Sequence, residues 1–541
     1  MKYNNSMRNI LIPLLVAAGI IVGLFMGLAI RSTNFQSQIR SIAAPTPRSN
    51  DMVSTVMTLI KTQYVDEVNM DSLAKKVIPV IVENLDPHSV FIPAEEFAGV
   101  NEPLEGQFDG IGVTFNMLTD TVQVLNVING GPSFKAGVQN GDRIITINDS
   151  IVAGKKINQD DIVKMLKGPR GSEVIIGVKR AGFSELIPIT ITRGIIPVKS
   201  IDSYFMMTPE TGYIKLSRFS RNSHTEFVKA SRQLKEQGMK NLVFDLRDNV
   251  GGYLDQAIMI TNEFLPANTM IVYTEGKSRK RMEEFSNGKG TLTDIPLAVL
   301  INEGSASASE IVSGAIQDND RGTIIGRRSF GKALVQEQIP FPDGSALRLT
   351  VARYYSPVGR SIQKPYDQGI EAYNNELRAR MEHNEYFSAD SIRFADSLKF
   401  ETPGGRIVYG GGGIMPDIFV PADTVGMNRF MSEIIVRGQL IRFSQSYADA
   451  HREELNSISD ISQLREFMDS HKNMLNEFLA YARKNGVVPR GNELNESREL
   501  LEAELKAYVA RHSPLEDDGF FLYIQDVDNV IDAVKELFGG N

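Results

Sequence analysis

The sequence predicts an α/β protein of several domains, and three patterns along the chain carry that prediction. Residues 105–195 show short strand patterns separated by glycines, and residues 200–360 alternate strand and helix patterns. Residues 427–541 place apolar side chains at helical spacing. With 541 residues, the chain is long enough for three or four domains of ordinary size.

The composition excludes several classes of protein. The content is 42% hydrophobic and 23% charged, as in globular proteins, and the net charge of −8 argues against nucleic acid as the main partner. The absence of cysteine excludes disulfides, thiol nucleophiles and cysteine metal sites. The six histidines are scattered singly, without an HxxxH pair, so the sequence predicts neither a metal site nor a cofactor.

The N-terminal segment predicts a membrane anchor. Residues 10–30 contain no charged side chain and, as a helix, would span about 30 Å, the thickness of a bilayer core. We favour an uncleaved anchor over a secretory signal, because the only late cleavage candidate is Ala43-Ala44. The short segment before the anchor favours export of everything after residue 31.

Changes of pattern divide the chain into predicted regions. Residues 32–50 are rich in Ser, Pro and Thr and read as a linker. The regions are 1–31 (anchor or signal), 32–50 (linker), 51–100 (helical), 101–195 (strand-rich), 196–365 with 403–425 (core), 366–402 (insertion) and 426–541 (helical).

The run Gly304–Glu310 supplies a candidate nucleophile, Ser307, where a helix is predicted to begin. Small neighbours would let a substrate backbone approach, and the amide of Ala308 is suited to an oxyanion hole. The alternative is that Ser305, Ser307 and Ser309 only cap the helix.

A serine needs a base, and no histidine lies near this run in the sequence, so Lys332 is the candidate. An ordinary lysine, with a pKa of about 10.4, is neutral in about one molecule per few thousand at pH 7, so Lys332 must be buried to act as a base. Gln336 could orient its amine. The alternative is a plain surface lysine.

A glycine pair ends another predicted strand, at Asp245–Gly252. Gly251 and Gly252 would let the backbone turn its amides toward a ligand, as the second half of an oxyanion hole. The alternative is an ordinary turn between a strand and a helix.

Together these motifs resemble the carboxyl-terminal processing peptidases, serine peptidases of family S41 that carry a PDZ domain. The landmarks also include Leu85–Ser89, Phe330-Gly331-Lys332 and, for the PDZ domain, Gly110–Val113 with Gly131–Asp142. The resemblance covers about residues 50–365 and 404–422. It implies a PDZ domain before a crotonase/ClpP-like protease core, with Ser307 as nucleophile, Lys332 as general base and Gln336 as its orienting partner. The oxyanion donors would be Ala308 and one of Gly251 or Gly252.

The same resemblance implies how substrates are recognised. The amides of Gly110, Ile111, Gly112 and Val113 would bind the C-terminal carboxylate of an unstructured protein substrate, and Val113 and Phe115 would suit an apolar terminal side chain. It also implies a single-pass protein of the bacterial inner membrane, with its catalytic part in the periplasm. The terminal amphipathic helices raise the further prediction of a homodimer.

Two departures from the family pattern occur near the site. Val250 replaces a common proline and Ala333 a common glycine, and both leave the chemistry intact. The insertion and the helical tail lie outside the shared core.

Three other functions compete with this interpretation. A catalytically silent PDZ scaffold would need only residues 105–195, and a Ser-His hydrolase would use His224 or His88 as its base. An acyl-CoA enzyme of the crotonase type shares the strand-helix units but fits poorly with an anchor and a PDZ module.

Overall fold

The protein is described here by a computed structural model, which covers residues 51–117, 120–180 and 182–539. The chain divides into two compact units, one ending at Ile81 and one beginning at Val82. Within the described residues, no helix combines the length and the apolar character required to cross a bilayer. The predicted anchor and linker, residues 1–50, lie outside this range.

The first unit is helical in its described part. The helix Met52–Gln63 begins after Asp51, whose Oδ1 accepts the N–H of Ser54 at 3.0 Å. This bond satisfies one of the amide groups that a helix start leaves without a partner. A second helix, Met70–Glu83, contains Pro79.

A mixed six-stranded sheet forms the centre of the second unit. Its first two strands are antiparallel and the others join in parallel. The order is Ile201–Met206, Thr211–Leu216, Asn241–Asp245, Leu297–Ile301, Thr323–Gly326 and Ile418–Phe419. Because parallel strands are buried on both faces, they read as continuous apolar runs. Leu297–Ile301, with all five residues buried, is a run of this kind.

Alternate side chains of this sheet enter two different cores. Leu242, Phe244 and Val299 face the helices Ser223–Glu236, Leu254–Asn262 and Ala308–Asp318. Val243 and Leu300 face the C-terminal helices. The sheet is therefore covered by helices on both sides, and its strand ends remain available for a site.

The C-terminal region is helical, as the periodicity predicted. Its helices are Arg429–Val436, Gln439–Ala450, Arg452–Asn456, Ile461–Ser470, Met474–Lys484, Glu493–Ala510, Glu516–Ile524 and Asn529–Leu537.

The second unit also contains a five-stranded antiparallel sheet. The long strand Ala346–Tyr355 pairs with Val90–Ile92, Met270–Gly276 and Leu334–Pro340, and Met270–Gly276 also pairs with Arg279–Phe285. Lys332 lies two positions before the start of the strand Leu334–Pro340, so this sheet helps to position the candidate base.

The region predicted to be a PDZ domain contains its own sheet and core. The strands are Val113–Asn116, Val122–Val127, Arg143–Ile147, Ser150–Ile151, Glu173–Lys179 and Ile187–Thr192, with helices Pro132–Ala136 and Gln159–Leu166. Val113–Asn116 lies at the edge of this sheet and pairs only with Val122–Val127 among the described strands. The short strands Gln107–Gly110 and Gly194–Pro197 pair where the chain enters and leaves the region.

The insertion at 366–402 is partly helical. It contains the helix Ile370–Glu382, two single turns at Ala389–Ser391 and Asp396–Leu398, and the strand Lys399–Glu401. The last strand pairs with Ile407–Tyr409. The helix Ala94–Glu105 and the single turn Gln525–Val527 complete the described elements.

Candidate active site

Ser307 occupies the start of a buried helix at the end of a central strand. It follows the strand Leu297–Ile301 and forms the N-cap of the helix Ala308–Asp318. Its backbone has φ +56° and ψ −111°, a conformation that residues other than glycine rarely adopt. Strained backbone of this kind persists where the surrounding structure holds it, and it concentrates at functional sites.

The three serines of the run differ in their hydrogen bonds. The hydroxyl of Ser305 donates to the carbonyl of Leu246 at 2.8 Å, and that of Ser309 to the carbonyl of Asn249 at 2.7 Å. Among the described residues, the hydroxyl of Ser307 donates to no acceptor. Two of the serines are therefore structural, and the proton of the middle one is available for transfer.

The surroundings of Lys332 lower the pKa of its amine. Its Nζ donates to Oε1 of Gln336 at 3.0 Å, and Nε2 of Gln336 donates to the backbone carbonyl of His88. Burial, together with the Arg348 cation, lowers the pKa of Lys332 to about 8, against the opposing charges of Asp86 and Glu310.

The backbones of Ser307 and Lys332 are joined through one carboxylate oxygen. Oε2 of Glu310 accepts the N–H of Ser307 at 2.8 Å and the N–H of Lys332 at 2.8 Å, so the two nitrogens lie less than twice that distance apart. The phenol of Tyr354 also donates to the carbonyls of Ser307, at 3.1 Å, and Lys332, at 2.7 Å. No hydrogen bond joins Oγ of Ser307 to Nζ of Lys332 in the described structure, where the amine bonds to Gln336 instead.

Glu310 is a site residue that sequence reasoning did not single out. Its other oxygen, Oε1, accepts from the hydroxyl of Ser329 at 2.5 Å and from the N–H of Gly331 at 2.7 Å. Burial raises its pKa to about 7, against the four hydrogen bonds, which favour the charged form. Ser307 and Glu310 form a capping box, and that S-x-x-E spacing was the signal that could have identified it.

The candidate oxyanion donors lie beside Ser307. A Cβ added to Gly251, which has φ +100°, would lie 2.9 Å from both Cβ of Ser307 and the amide nitrogen of Ala308. The N–H of Gly251 already donates to Oδ1 of Asn249 at 2.9 Å. The N–H groups of Ala308 and Gly252 have no hydrogen-bond acceptor among the described residues, so geometry favours Gly252 over Gly251 as the second donor.

The loop that carries these glycines is tied to the serine run. The carbonyl of Asn249 accepts the N–H of Ala306 at 3.0 Å, and its side-chain nitrogen donates to the carbonyl of Leu216 at 2.8 Å. The side chain of Asn302 bonds both the backbone and the carboxylate of Asp248. These bonds hold the two strand ends in one fixed arrangement.

Comparisons with known proteins identify the domains and the family of the chain. The profile of peptidase family S41 matches residues 210–372, that of the PDZ domain residues 110–191, and that of a family of unknown function (DUF8443) residues 430–513. A carboxy-terminal-processing protease of Bartonella bacilliformis is 37% identical over 343 residues, which are 62% of this chain and 76% of that protein. The chain belongs to the carboxy-terminal-processing proteases of family S41. The carboxy-terminal processing protease CtpB of Bacillus subtilis is 30% identical over 360 residues, 65% of this chain and 72% of that protein.

Among solved structures, the photosystem II D1 C-terminal processing protease aligns at 24% identity with a TM-score of 0.36. The alignment covers 69% of this chain and 87% of that one.

The peptide-binding residues predicted for this S41 protease lie at the start of the PDZ edge strand. Gly110 ends the strand before it, and Val113 and Phe115 lie within it and pack partly against the PDZ core. The N–H groups of Ile111 and Gly112 have no acceptor within the described residues. An extended peptide could therefore add to this edge with its terminal carboxylate at these two amides.

The histidines considered as alternative bases are engaged elsewhere. Nε2 of His88 lies 2.7 Å from the phenol of Tyr373, and burial, together with the Lys332 cation, lowers the pKa of His88 to about 4. Nε2 of His224 lies 2.9 Å from Oε1 of Glu263. Neither ring is hydrogen-bonded to Ser307 in the described structure, and the Nε2 atom of each is bonded to another side chain.

The two departures from the family pattern differ in exposure. The side chain of Val250 is exposed, whereas Ala333 is buried and its N–H donates to Oε1 of Gln363 at 2.8 Å. Neither side chain replaces a hydrogen-bonding group of the site.

The insertion contacts residues 329–332 of the protease, the lysine loop, which carries the candidate base. Arg380, on the helix Ile370–Glu382, donates to the carbonyls of Ser329 at 2.7 Å and Phe330 at 3.0 Å. The buried Nζ of Lys364 lies 4.1 Å from the ring centres of both Phe330 and Tyr373. The sequence interpretation set the insertion outside the core, but the structure packs it against the segment that carries the base.

Proposed function

We propose that this protease is a membrane-tethered endopeptidase with a Ser-Lys dyad. It cleaves exported proteins near or from their C-termini, which its PDZ domain recognises. The N-terminal segment would anchor it in a bacterial inner membrane, with the catalytic part on the periplasmic side. The homodimer stays a prediction.

One observation carries the dyad: Lys332 is half-buried, its Nζ donates to Gln336, and its pKa is lowered to about 8. At pH 7, about one tenth of such amines are neutral, against about one in a few thousand for an ordinary lysine. That gain of more than a hundredfold makes lysine an effective base near neutral pH.

The mechanism that this arrangement supports is acyl transfer. The neutral amine of Lys332, released from Gln336, takes the proton of Ser307 while Oγ attacks the peptide carbonyl. The amides of Ala308 and Gly252 stabilise the oxyanion. The Lys332 ammonium then protonates the leaving amine, and water, deprotonated by the same lysine, hydrolyses the acyl-enzyme and restores the serine.

Ser307→Ala tests the nucleophile in an assay with an unstructured protein substrate. We expect cleavage to fall by at least a thousandfold. Ser309→Ala is the matched control, since its hydroxyl bonds only to the carbonyl of Asn249, and we expect a far smaller loss. Unchanged cleavage by Ser307→Ala would reject Ser307 as the nucleophile, and absence of cleavage by the wild type would favour the silent scaffold.

A pH profile tests the base. If Lys332 is the base, log(kcat/KM) rises with unit slope and levels off near pH 8, and Lys332→Met is inactive. His224→Ala should retain both the rate and the profile. A midpoint near pH 6.5 that is lost in His224→Ala would instead identify His224 as the base.

Peptide binding tests the PDZ assignment. An unstructured peptide with a free C-terminal carboxylate should bind the Ser307→Ala protein, and the same peptide amidated at its C-terminus should bind at least tenfold more weakly. Equal binding would show that the amides of Ile111 and Gly112 do not capture the carboxylate.

Fractionation tests the tether. The full chain should remain with membranes through high-salt and carbonate washes, and a variant that lacks residues 10–30 should be released. Release of the full chain by the same washes would remove the anchor from the proposal.

A further inference from the structure

Two histidines that are far apart in the sequence meet in the C-terminal helical region. His451 ends the helix Gln439–Ala450, and His471 ends the helix Ile461–Ser470. Glu454, on the short helix Arg452–Asn456, turns its carboxylate toward both rings. None of these residues belongs to the site of Ser307, and all three lie in the part matched by the family of unknown function.

The separations within this cluster are those of ligands around one ion. Nδ1 of His451 lies 3.4 Å from Nε2 of His471 and 3.6 Å from Oε1 of Glu454. Nε2 of His471 lies 3.8 Å from Oε2 of Glu454. A tetrahedral zinc ion with bonds of about 2.0–2.1 Å holds its ligand atoms about 3.3 Å apart.

The same separations are poor for direct hydrogen bonds. Hydrogen bonds between N–H donors and their acceptors have their heavy atoms about 2.7–3.2 Å apart, and each of the three distances is longer. The three groups therefore converge without satisfying one another, and a shared cation would satisfy all of them.

A hydrogen bond at the second ring nitrogen orients the ring of His471. Its Nδ1 lies 2.8 Å from the carbonyl of Phe467, which can only accept, so the neutral ring carries its proton there. Nε2 is then left with a lone pair that points at the other two residues. Metal-binding histidines are typically oriented by a hydrogen bond of this kind.

The surroundings favour an ion of the zinc type. The ring of Tyr447 lies 4.6 Å from that of His451, and the ring of Phe467 lies 4.1 Å from that of His471. These aromatic rings limit water on the inner side, while Glu454, with 61% of its side chain exposed, borders solvent. Two imidazoles and one carboxylate suit zinc better than calcium or magnesium, which prefer oxygen ligands alone.

We propose that His451, Glu454 and His471 bind one divalent cation of the zinc type, with water in the remaining coordination position. The ion joins the ends of two long helices through the short helix between them. The site is independent of the proposed Ser-Lys chemistry, because none of its ligands contacts the catalytic residues.

Equilibrium dialysis of the full chain against Zn²⁺ tests the site, with metal analysis of the protein after removal of adventitious ions by a chelator. We expect one equivalent per chain, and binding at least tenfold weaker in His451→Gln and in His471→Gln. His224→Gln is the matched control, since that ring is also part-buried beside a carboxylate. Ser307→Ala should bind zinc normally, so that loss of peptidase activity and loss of metal are separable.

Two further readouts keep the test decisive if a histidine variant folds poorly. Glu454→Gln alters an exposed side chain and should also weaken binding, and Co²⁺ bound to the wild type should give the visible absorption of a tetrahedral site. Zinc should raise the Tm of the wild type but not that of His451→Gln. Absence of a zinc equivalent in the wild type, or equal binding by wild type and all three ligand variants, would overturn the proposal.

Discussion

Glu310→Gln offers the sharpest test of how the site is held together. The carboxylate accepts four hydrogen bonds, two at each oxygen. An amide of the same shape accepts at one end and donates at the other. The better orientation places the amide nitrogen near Ser329, whose hydroxyl can accept, and leaves the N–H of Gly331 without an acceptor.

The unpaired N–H group lowers the free energy of unfolding. One buried donor without a partner costs about 1–3 kcal/mol, a sizeable fraction of the roughly 5–15 kcal/mol that stabilises a typical domain. The opposite orientation would leave the N–H groups of Ser307 and Lys332 unpaired, at about twice that cost. We therefore expect a folded protein with a clearly lower Tm, measured by thermal unfolding.

The substitution also removes a charge that acts on the base. The Glu310 carboxylate raises the pKa of Lys332, so its loss should lower that pKa below about 8. The limb of the pH-rate profile should therefore move to lower pH, even though the maximal rate falls. Glu263→Gln, at a buried carboxylate bonded to His224, should leave the profile in place. A Glu310→Gln enzyme with an unchanged midpoint would refute the electrostatic part of this reasoning.

Three other substitutions have expected outcomes. Arg380→Met should lower both the Tm and kcat because the lysine loop loses its buried donor, whereas Arg378→Met, on the same helix with its side chain 79% exposed, should change neither. Lys332→Met should remove a pH dependence of stability. The wild type, whose folded-state pKa is about 8 against 10.5 unfolded, binds fewer protons when folded and so should gain stability relative to the variant as pH rises from 8 to 10.5. Gly252→Ala should abolish cleavage and destabilise the protein, since its Cβ would lie 2.1 Å from a backbone oxygen, while Gly99→Ala, with nothing within 4 Å, serves as the tolerated control. Full activity of Gly252→Ala would exclude a close backbone approach at that position.

Much of the fold was predictable because its elements obey local rules. The strands Val122–Val127, Ile187–Thr192 and Leu297–Ile301 lie in regions where the sequence pattern predicted strands. Each is a continuous apolar run or an alternating one between turn residues, so local periodicity suffices to identify it.

The parts that sequence reasoning did not supply depend on contacts between distant residues. The sequence analysis did not single out Glu310, because only the fold brings the N–H of Gly331 onto its second oxygen. It did not single out Arg380 either, because the contact of that side chain with the carbonyl of Ser329 joins residues far apart in the chain. The histidine pair in the tail gave no spacing signal, since its members are twenty positions apart in the chain and meet only in the folded structure.

The last described helix has a consequence for a peptidase that removes ends of chains. Val530, Ile531 and Val534 of Asn529–Leu537 are buried in the core that covers one face of the central sheet. A segment must become extended before it can lie along the PDZ edge strand, and extending this helix would expose that core to water. While this helix stays folded, it therefore cannot lie along the PDZ edge strand.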